Sequence, residues 1–494
     1  MLPSAAPTSS TENVCRVSGT GVNHSGMTTW AVSPTKIAPP TTRAMLRAIP
    51  PGMTSARVLG LTLMLDMGLT LTVRLATLGL VSVLLGACAQ VPVPEAPSTP
   101  APPSPAAPTT SPVTAAPSES PTSAATPTEL PTSAATPTIT PQAGSACADL
   151  VARLTPAEQV GQLLMVAVSS TGLGGSEREA LAESRAGSAI LLGNSTAGAA
   201  VTRRVVGDVR DSTRRPGGIR TLLAVDQEGG GVQRLRGPGF TEIPSAEQQA
   251  ERSDVRLTRD AERWGRELTD AGLDANLAPV ADVVPADLGD GNAPIGALQR
   301  GYGSDPGTVA AKASAFVRGM NRAGVATAVK HFPGLGRVRG NTDFARRVVD
   351  RQTTRDGAQV AAYRSVIEAR VDMVMVSSAY YQRIDPRRRA AFSPVVLTDL
   401  LREDLGFSGV VISDDLAAAA MADVDPEQRA LRFLGAGGDL MIIGDAGLVD
   451  RMAQAVRERM ASDARFAERV RQSATRVVVM KARRGLVECA GSTR

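Results

Sequence analysis

Eight short apolar runs, spaced between residues 161 and 443 and mostly separated by stretches of helical periodicity, constrain this chain more than any other feature. They cover 161–168, 188–193, 221–226, 275–283, 326–331, 373–378, 410–414 and 439–443. The intervening segments 258–271, 306–323, 358–369 and 426–434 carry apolar residues at helical spacing. Several runs are continuously apolar, as strands are in a parallel sheet covered on both faces. Eight strand–helix units in about 340 residues predict an α/β fold, a (β/α)8 barrel of TIM type forming a single catalytic domain. A doubly wound sheet is the rival, but no G-x-G-x-x-G follows the first run, so nucleotide binding has no support.

The barrel is expected over 147–489, because what precedes it reads differently. Of 34 prolines in 494 residues, 15 lie between Val91 and Gln142, a window whose only charges are Glu95, Glu119 and Glu129. Such a stretch cannot bury a core, so 89–146 is expected to be a disordered Pro/Ser/Thr/Ala linker. It repeats PTSAATPT at 121–128 and 131–138. Residues 1–88 read as an over-called N-terminus, Met67 being the natural start, followed by a signal sequence. There Arg74 precedes a mostly apolar run over 75–87, too short to span a membrane. Its ending, Leu85-Gly86-Ala87-Cys88, resembles the bacterial lipobox, in which the cysteine becomes the lipid-modified first residue. An ordinary cleaved signal is the other reading. The lipoprotein reading predicts an extracytoplasmic enzyme tied to the bacterial cell membrane through Cys88. Outside the cytosol, Cys147 and Cys489, at the two ends of the domain, are expected to form a disulfide; two free thiols are the alternative.

Charge and histidine count exclude several functions. The formal net charge of +5 comes from 53 basic and 48 acidic residues, and residues 1–88 hold six of the former and two of the latter. The remainder is near neutral, 47 against 46, so no nucleic-acid partner is indicated. The only histidines are His24 and His331, which rules out a zinc site built on several histidines. No G-x-S-x-G elbow accompanies His331, so a serine triad has no support.

In a barrel, chemistry sits where strands end. Asp226 closes the third run, Asp282 the fourth, Lys330 and His331 the fifth, Ser377 and Ser378 the sixth, and Asp414 and Asp415 the seventh. Five successive strands thus end in groups able to hydrogen-bond a polyhydroxylated ligand.

In chain order, LLAVDQEGGGVQRL, NLAPVADV, RGYGSDP, KHFPGLG and VVISDDL resemble glycoside hydrolase family 3, above all its single-domain β-N-acetylglucosaminidases, over roughly residues 154–486. The resemblance implies that Asp414 is the nucleophile of a retaining glycosidase. It also implies that Asp226, Arg234, Arg300, Lys330 and His331 hold the sugar before the cleaved bond. Taken alone, Asp414 also reads as a strand-end helix cap, Lys330 as a solvated lysine, His331 as a core histidine, and Arg234 and Arg300 as salt-bridge residues. Glu228 and Asp415 read as supporting neighbours. Asp282 is expected to brace Lys330 or an arginine.

The chain departs from the family pattern where the acid/base should lie. The family reads K-H-F-P-G-H-G and then D-S-H, the final histidine serving as acid/base. This chain has Leu335 in place of the second histidine of the first motif, then Asn341 and Asp343 at the positions of the dyad aspartate and histidine. A histidine expected at the end of the sixth strand is absent, with Ser378 nearby. Asp343 is then the expected proton donor, and Gly334, Gly336 and Gly340 would let its loop close. Otherwise the acid/base is lost, leaving a weak enzyme or a non-catalytic carbohydrate-binding lipoprotein, or it is supplied from elsewhere, as by Glu228. The expected substrate is a terminal β-linked N-acetylglucosaminide, for which the envelope location points to peptidoglycan fragments. A monomer is expected, with no metal and no organic cofactor, since the chemistry needs only carboxylates.

Overall fold

The computed structural model describes residues 141–489. The signal-like run, Cys88 and most of the proline-rich segment lie outside the described residues. Eight parallel strands form the core: β1 (Leu164–Ser169), β2 (Ser188–Leu192), β3 (Leu222–Val225), β4 (Ala275–Asn276), β5 (Ala326–Phe332), β6 (Met373–Val376), β7 (Val410–Ser413) and β8 (Met441–Ile443). Their order is β7-β6-β5-β4-β3-β2-β1-β8, and a bridge between Ile412 and Leu440 brings β7 back to β8. Eight helical segments follow the strands: α1 (Gly175–Glu183), α2 (Ala199–Ser212), α3 (Asp254–Asp270), α4 (Pro306–Arg322), α5 (Ala358–Glu368), the π-helical α6 (Val395–Asp404), α7 (Pro426–Ala436) and α8 (Ala446–Ser462). This is a (β/α)8 barrel. The strand side chains are buried almost without exception because helices cover the sheet outside and layered side chains fill it inside.

Two boundaries differ from the periodicity reading. Gly161 and Gln162 end a helix (Pro156–Gln162) capped by Thr155 and Glu158, so β1 begins at Leu164. The expected strand over 275–283 keeps regular pairing only at Ala275–Asn276; beyond it the chain stays against β5 less regularly, with Ala328 N–H donating to Ala278 O at 3.2 Å, Lys330 N–H to Pro279 O at 3.1 Å and Ala281 N–H to Lys330 O at 2.7 Å. Pro279, which has no N–H to give a ladder, interrupts it.

The strand starts are clasped by aspartates. Asp274, Asp372 and Asp439 precede β4, β6 and β8, and each accepts the backbone N–H of a residue in the preceding strand: Leu223 at 2.9 Å, Thr327 at 3.1 Å and Val411 at 2.9 Å. Each also pairs with arginine: Asp274 with Arg210, Asp372 with Arg484, and Asp439 with Arg402, Arg469 and Arg476. Before β2 the corresponding place is taken by buried Lys481, whose Nζ donates to Gly187 O at 2.6 Å and Gln162 Oε1 at 2.7 Å. It lies on the C-terminal helix Ala464–Arg483.

The two ends of the described residues meet at this same floor. The helix Pro141–Ala152 packs against Ala464–Arg483, Leu150 and Leu154 approach Gly217 just before β3, and Arg220 donates to Leu486 O at 2.9 Å. A disulfide joins Cys147 to Cys489 across 342 residues of sequence. The described helix starts at Pro141, six residues ahead of the expected domain start, with proline at a first-turn position that needs no N–H donor.

Candidate active site

The opposite end of the barrel gathers the strand-end polar groups. Register between β5 and β6 shifts between Val329 and Phe332. At this irregularity Lys330 and His331, neighbours in sequence, both reach acids at the barrel mouth. Lys330 Nζ lies 2.5 Å from Asp226 Oδ1 and 2.7 Å from Glu228 Oε1. Arg300 grips Glu228 with two parallel bonds, Nε to Oε2 at 2.8 Å and Nη2 to Oε1 at 2.7 Å, and its Nη1 donates to Pro294 O at 2.9 Å. Two cations and two carboxylates thus form a neutral quartet, with Lys330 and Glu228 almost fully buried. Burial alone would raise the Glu228 carboxyl, yet Arg300 and Lys330 hold it well below the usual carboxylate range. Burial opposes the charge on Lys330, and Asp226 and Glu228 overcome it, so its pKa is raised. Glu228, Arg300 and Lys330 are thus held in their charged forms, preorganised with Asp226 to bond sugar hydroxyls.

Asp282 has a different partner from the one expected. It braces His331, not Lys330 or an arginine: Asp282 Oδ2 lies 2.7 Å from His331 Nδ1, and Oδ1 accepts the backbone N–H groups of His331 at 3.2 Å and Leu335 at 2.7 Å. The Tyr363 hydroxyl adds a longer bond to Oδ1 at 3.4 Å. Two ordered contacts follow. The imidazole is held by Nδ1, leaving Nε2 for a ligand. The turn after β5 is pinned to the segment that follows β4, close enough that a Cβ on Gly336 would stand 1.9 Å from Val283 O. Leu335, in the place of a family histidine, is a buried core residue.

Asp414 follows β7 and is half-buried at the mouth. Its backbone N–H donates to Val376 O at 3.2 Å, and its Oδ1 accepts the Asp415 N–H at 2.9 Å. The Asp414 carboxyl is pushed up to about 6: burial raises it most, His331 pulls it down, and the like charges of Asp343 and Asp415 raise it too. Asp414 therefore shares one electrostatic environment with His331 and Asp343. Asp415 does structural work: its Oδ1 accepts Ala417 N–H and Gly444 N–H, both at 2.8 Å, and so clasps the β7–β8 seam. A Cβ on Gly444 would fall 2.2 Å from Asp415 Oδ2.

Asp343 sits on the loop after β5. Asn341, in place of the dyad aspartate, builds the turn: its Oδ1 accepts Asp343 N–H at 2.9 Å and its carbonyl accepts Ala345 N–H at 2.9 Å. The loop rests on the segment after β7, where Ala420 N–H donates to Thr342 O at 3.1 Å and Ala419 N–H to Asp343 O at 3.4 Å. Asp343 is exposed, so the loop does not seal it from water.

The remaining groups line the same mouth. Arg234 extends from the Gln227–Gly229 and Val232–Gln233 hairpin; it donates to Asn194 Oδ1 at 3.2 Å, and its Nε is buried with no partner. Ser378 is buried with an unpartnered Oγ. Sequence reasoning underrated Glu228, which holds both cations, and missed Gln249, whose amide donates to Glu228 O at 2.8 Å and whose Oε1 accepts the Tyr302 hydroxyl at 3.2 Å. A glutamine inside the short polar helix Ala246–Ala250 carries no signal of that role.

Known proteins resemble this chain in sequence and fold. The family model described as the glycosyl hydrolase family 3 N terminal domain matches residues 155–480. The β-hexosaminidase of Stenotrophomonas maltophilia (strain K279a) is 33% identical over 311 residues, 61% of this chain and 89% of that protein. The crystal structure of β-N-acetylhexosaminidase from Beutenbergia cavernae DSM 12333 is 42% identical with a TM-score of 0.66, over 67% of this chain and 99% of that one. A family 3 β-N-acetylglucosaminidase from Paenibacillus sp. is 28% identical with a TM-score of 0.62, over 69% of this chain and 65% of that one.

Proposed function

The chain belongs to glycosyl hydrolase family 3, and on that premise we propose that this glycosidase removes terminal β-linked N-acetylglucosamine with retention of configuration, using Asp414 as nucleophile and Asp343 as acid/base. The observation that carries the reading is Asp414, half-buried at a barrel mouth beside His331 and a charged quartet suited to sugar hydroxyls. Asp414 Oδ2, free of hydrogen bonds among the described residues, attacks the anomeric carbon. The bond to the leaving oxygen breaks as Asp343 gives that oxygen a proton. Water, deprotonated by Asp343, then displaces Asp414 from the glycosyl–enzyme and restores the β configuration. Asp226, Lys330 and Arg300 hold the sugar, His331 presents Nε2 to it, and the Arg234 guanidinium, bonded to Asn194, flanks it.

We further propose that the substrate is a peptidoglycan-derived fragment and that the protein is a lipoprotein anchored through Cys88. The lipobox-like ending at Cys88 supports this. The exposure of Asp343 favours one second reading, a carbohydrate-binding protein with weak or no turnover.

The test is hydrolysis of an aryl β-N-acetylglucosaminide by the parent, Asp414→Asn and Asp343→Asn proteins, with the first-formed anomer read by NMR. Retention in the parent, abolished by Asp414→Asn, is the expected result. A loss in Asp343→Asn that deepens for poor leaving groups assigns the acid. Sugar binding without turnover in the parent would give the second reading its place.

A further inference from the structure

Beside the eight-stranded barrel a three-stranded sheet carries an excess of positive charge. Its strands are Val349–Asp350, in the loop after β5, and Tyr380–Tyr381 and Asp385–Arg389, after β6. Tyr380 lies in the middle strand and pairs with Val349 on one side and Arg389 on the other. At the first strand opens a groove of about 480 Å³ lined by Arg337, Arg339, Arg347 and Arg351. At the third opens one of about 350 Å³ lined by Arg387, Arg388, Arg389 and Arg432, together with Tyr380. Tyr380 joins the two, because the Arg347 guanidinium lies 4.4 Å and the Arg389 guanidinium 4.9 Å from the centroid of its ring. No acidic side chain lines either groove. Asp385 pairs with Arg388 at 3.5 Å and Asp423 with Arg389 at 2.5 Å; the remaining lining arginines make no ion pair among the described residues. Asp350, within the sheet, is buried and committed to Gln352 N–H and to both the N–H and the hydroxyl of Thr353. Each groove also holds an orphaned donor. Arg389 is only 4% exposed, and its Nε, like that of Arg337 in the other groove, is buried with no partner. A buried guanidinium N–H left unbonded costs free energy that an anion in the groove would recover.

Guanidinium groups arrayed in two connected grooves suit an anion that repeats along a chain. Such a chain occupies both grooves at once, and its second contact is then intramolecular. A carboxylate presents one planar edge, whereas a tetrahedral phosphate can be shared by guanidinium groups that approach from different sides. A bilayer offers a flat face, which concave grooves do not follow. A nucleic-acid strand calls for open aromatic faces on which its bases stack, and here guanidinium groups lie over the Tyr380 ring.

We propose that the two grooves, bridged by Tyr380, form one docking track for a linear phosphate polymer. None of its arginines belongs to the sugar-binding set, so the proposal stands apart from the glycosidase reading. The probe is long-chain polyphosphate, measured by calorimetry beside tripolyphosphate at equal total phosphate. The parent should bind the long chain about tenfold or more tightly than the short one. That affinity should fall by about tenfold or more between about 50 and about 200 mM sodium chloride. Two double variants at exposed or half-exposed positions each weaken one groove: Arg337→Gln with Arg351→Gln, and Arg387→Gln with Arg432→Gln. Each should reduce long-chain affinity by about tenfold or more, while the thermal midpoint and the rate on an aryl β-N-acetylglucosaminide stay at the parent's values. Arg204→Gln with Arg214→Gln removes the same charge elsewhere and should leave binding near the parent's. No binding by the parent, sensitivity to only one of the two groove variants, or an equal loss in the matched control would overturn the track. Polygalacturonate or a single-stranded oligonucleotide bound as tightly at equal charge would overturn the phosphate assignment. Phosphatidylglycerol-containing vesicles held through the same arginines, with polyphosphate ignored, would give the surface to a membrane instead.

Discussion

Asp414 can attack only as a carboxylate, so its ionisation should limit the rate on the acid side. With its carboxyl at about 6, roughly one molecule in eleven is ionised at pH 5 and about ten in eleven at pH 7. In the parent, kcat/KM should therefore rise about tenfold between those pH values. Asp343 is one cause of the elevation, acting as a nearby negative charge. Asp343→Asn removes that charge, favours the ionised form of Asp414 and moves the acid limb down. Burial, the largest cause, is untouched, so the limb should stop short of the ordinary 3.8. Full return to 3.8 would multiply the ionised fraction at pH 5 by about ten, which sets the ceiling on the effect. The assay is kcat/KM from pH 4 to 8 with a dinitrophenyl β-N-acetylglucosaminide. That leaving group needs no proton, so loss of the acid does not mask the shift. A parent limb near 4, or the same limb in both proteins, would refute the coupling.

Three further outcomes follow from the described contacts. Lys330→Met leaves Asp226 and Glu228 facing each other with only Arg300 between them. It should cost about 3–5 kcal/mol in urea unfolding, with a loss of activity of about a hundredfold or more; wild-type stability would contradict the burial of the pair. Burial holds Lys481 down at about 7, so between that pH and its ordinary 10.5 the unfolded chain binds the extra proton and stability rises with pH. That rise amounts to about 2 kcal/mol from pH 7 to 9, and Lys481→Met should remove it; an equal rise in both proteins would rule it out. Replacing Cys147 and Cys489 with serine should lower stability by about 2–4 kcal/mol, seen as a lower thermal midpoint, while activity at 25 °C stays near the parent's. No change in midpoint would mean the floor holds without the link.

The barrel was legible because two periodicities alternate cleanly over most of the chain. Continuous apolar runs such as Val410–Ser413 declare a sheet covered on both sides, and a helix such as α4 begins at a capped proline and keeps one apolar face. Where backbone hydrogen bonding decides instead, as at Pro279, the run over 275–283 looks like a strand and is mostly not one. The floor aspartates were invisible for a related reason: an aspartate ahead of a strand reads as a turn residue. Only the closed barrel shows Asp274, Asp372 and Asp439 bonding the strand before. At the mouth, strand ends told which residues could meet, and Asp226, Lys330 and Arg300 do so through Glu228. Which partner each would choose lay in the third dimension. Asp282 sits closer to His331 and the β5 turn than to any arginine, and nothing in NLAPVADV states that distance.

The joined floor also has a mechanical meaning. Chain enters the barrel at the end opposite Asp414, so whatever the preceding segment is fixed to, the mouth can point away from it. Tension arriving along that segment reaches Cys147 within the first described helix and crosses to Cys489 before it can strip that helix away. From there the load spreads into Ala464–Arg483, whose neighbouring arginines and lysine are moored to the starts of β2, β6 and β8. The barrel would then hang from a distributed bearing at its base, and a tug strong enough to disturb the floor would leave the catalytic rim slack.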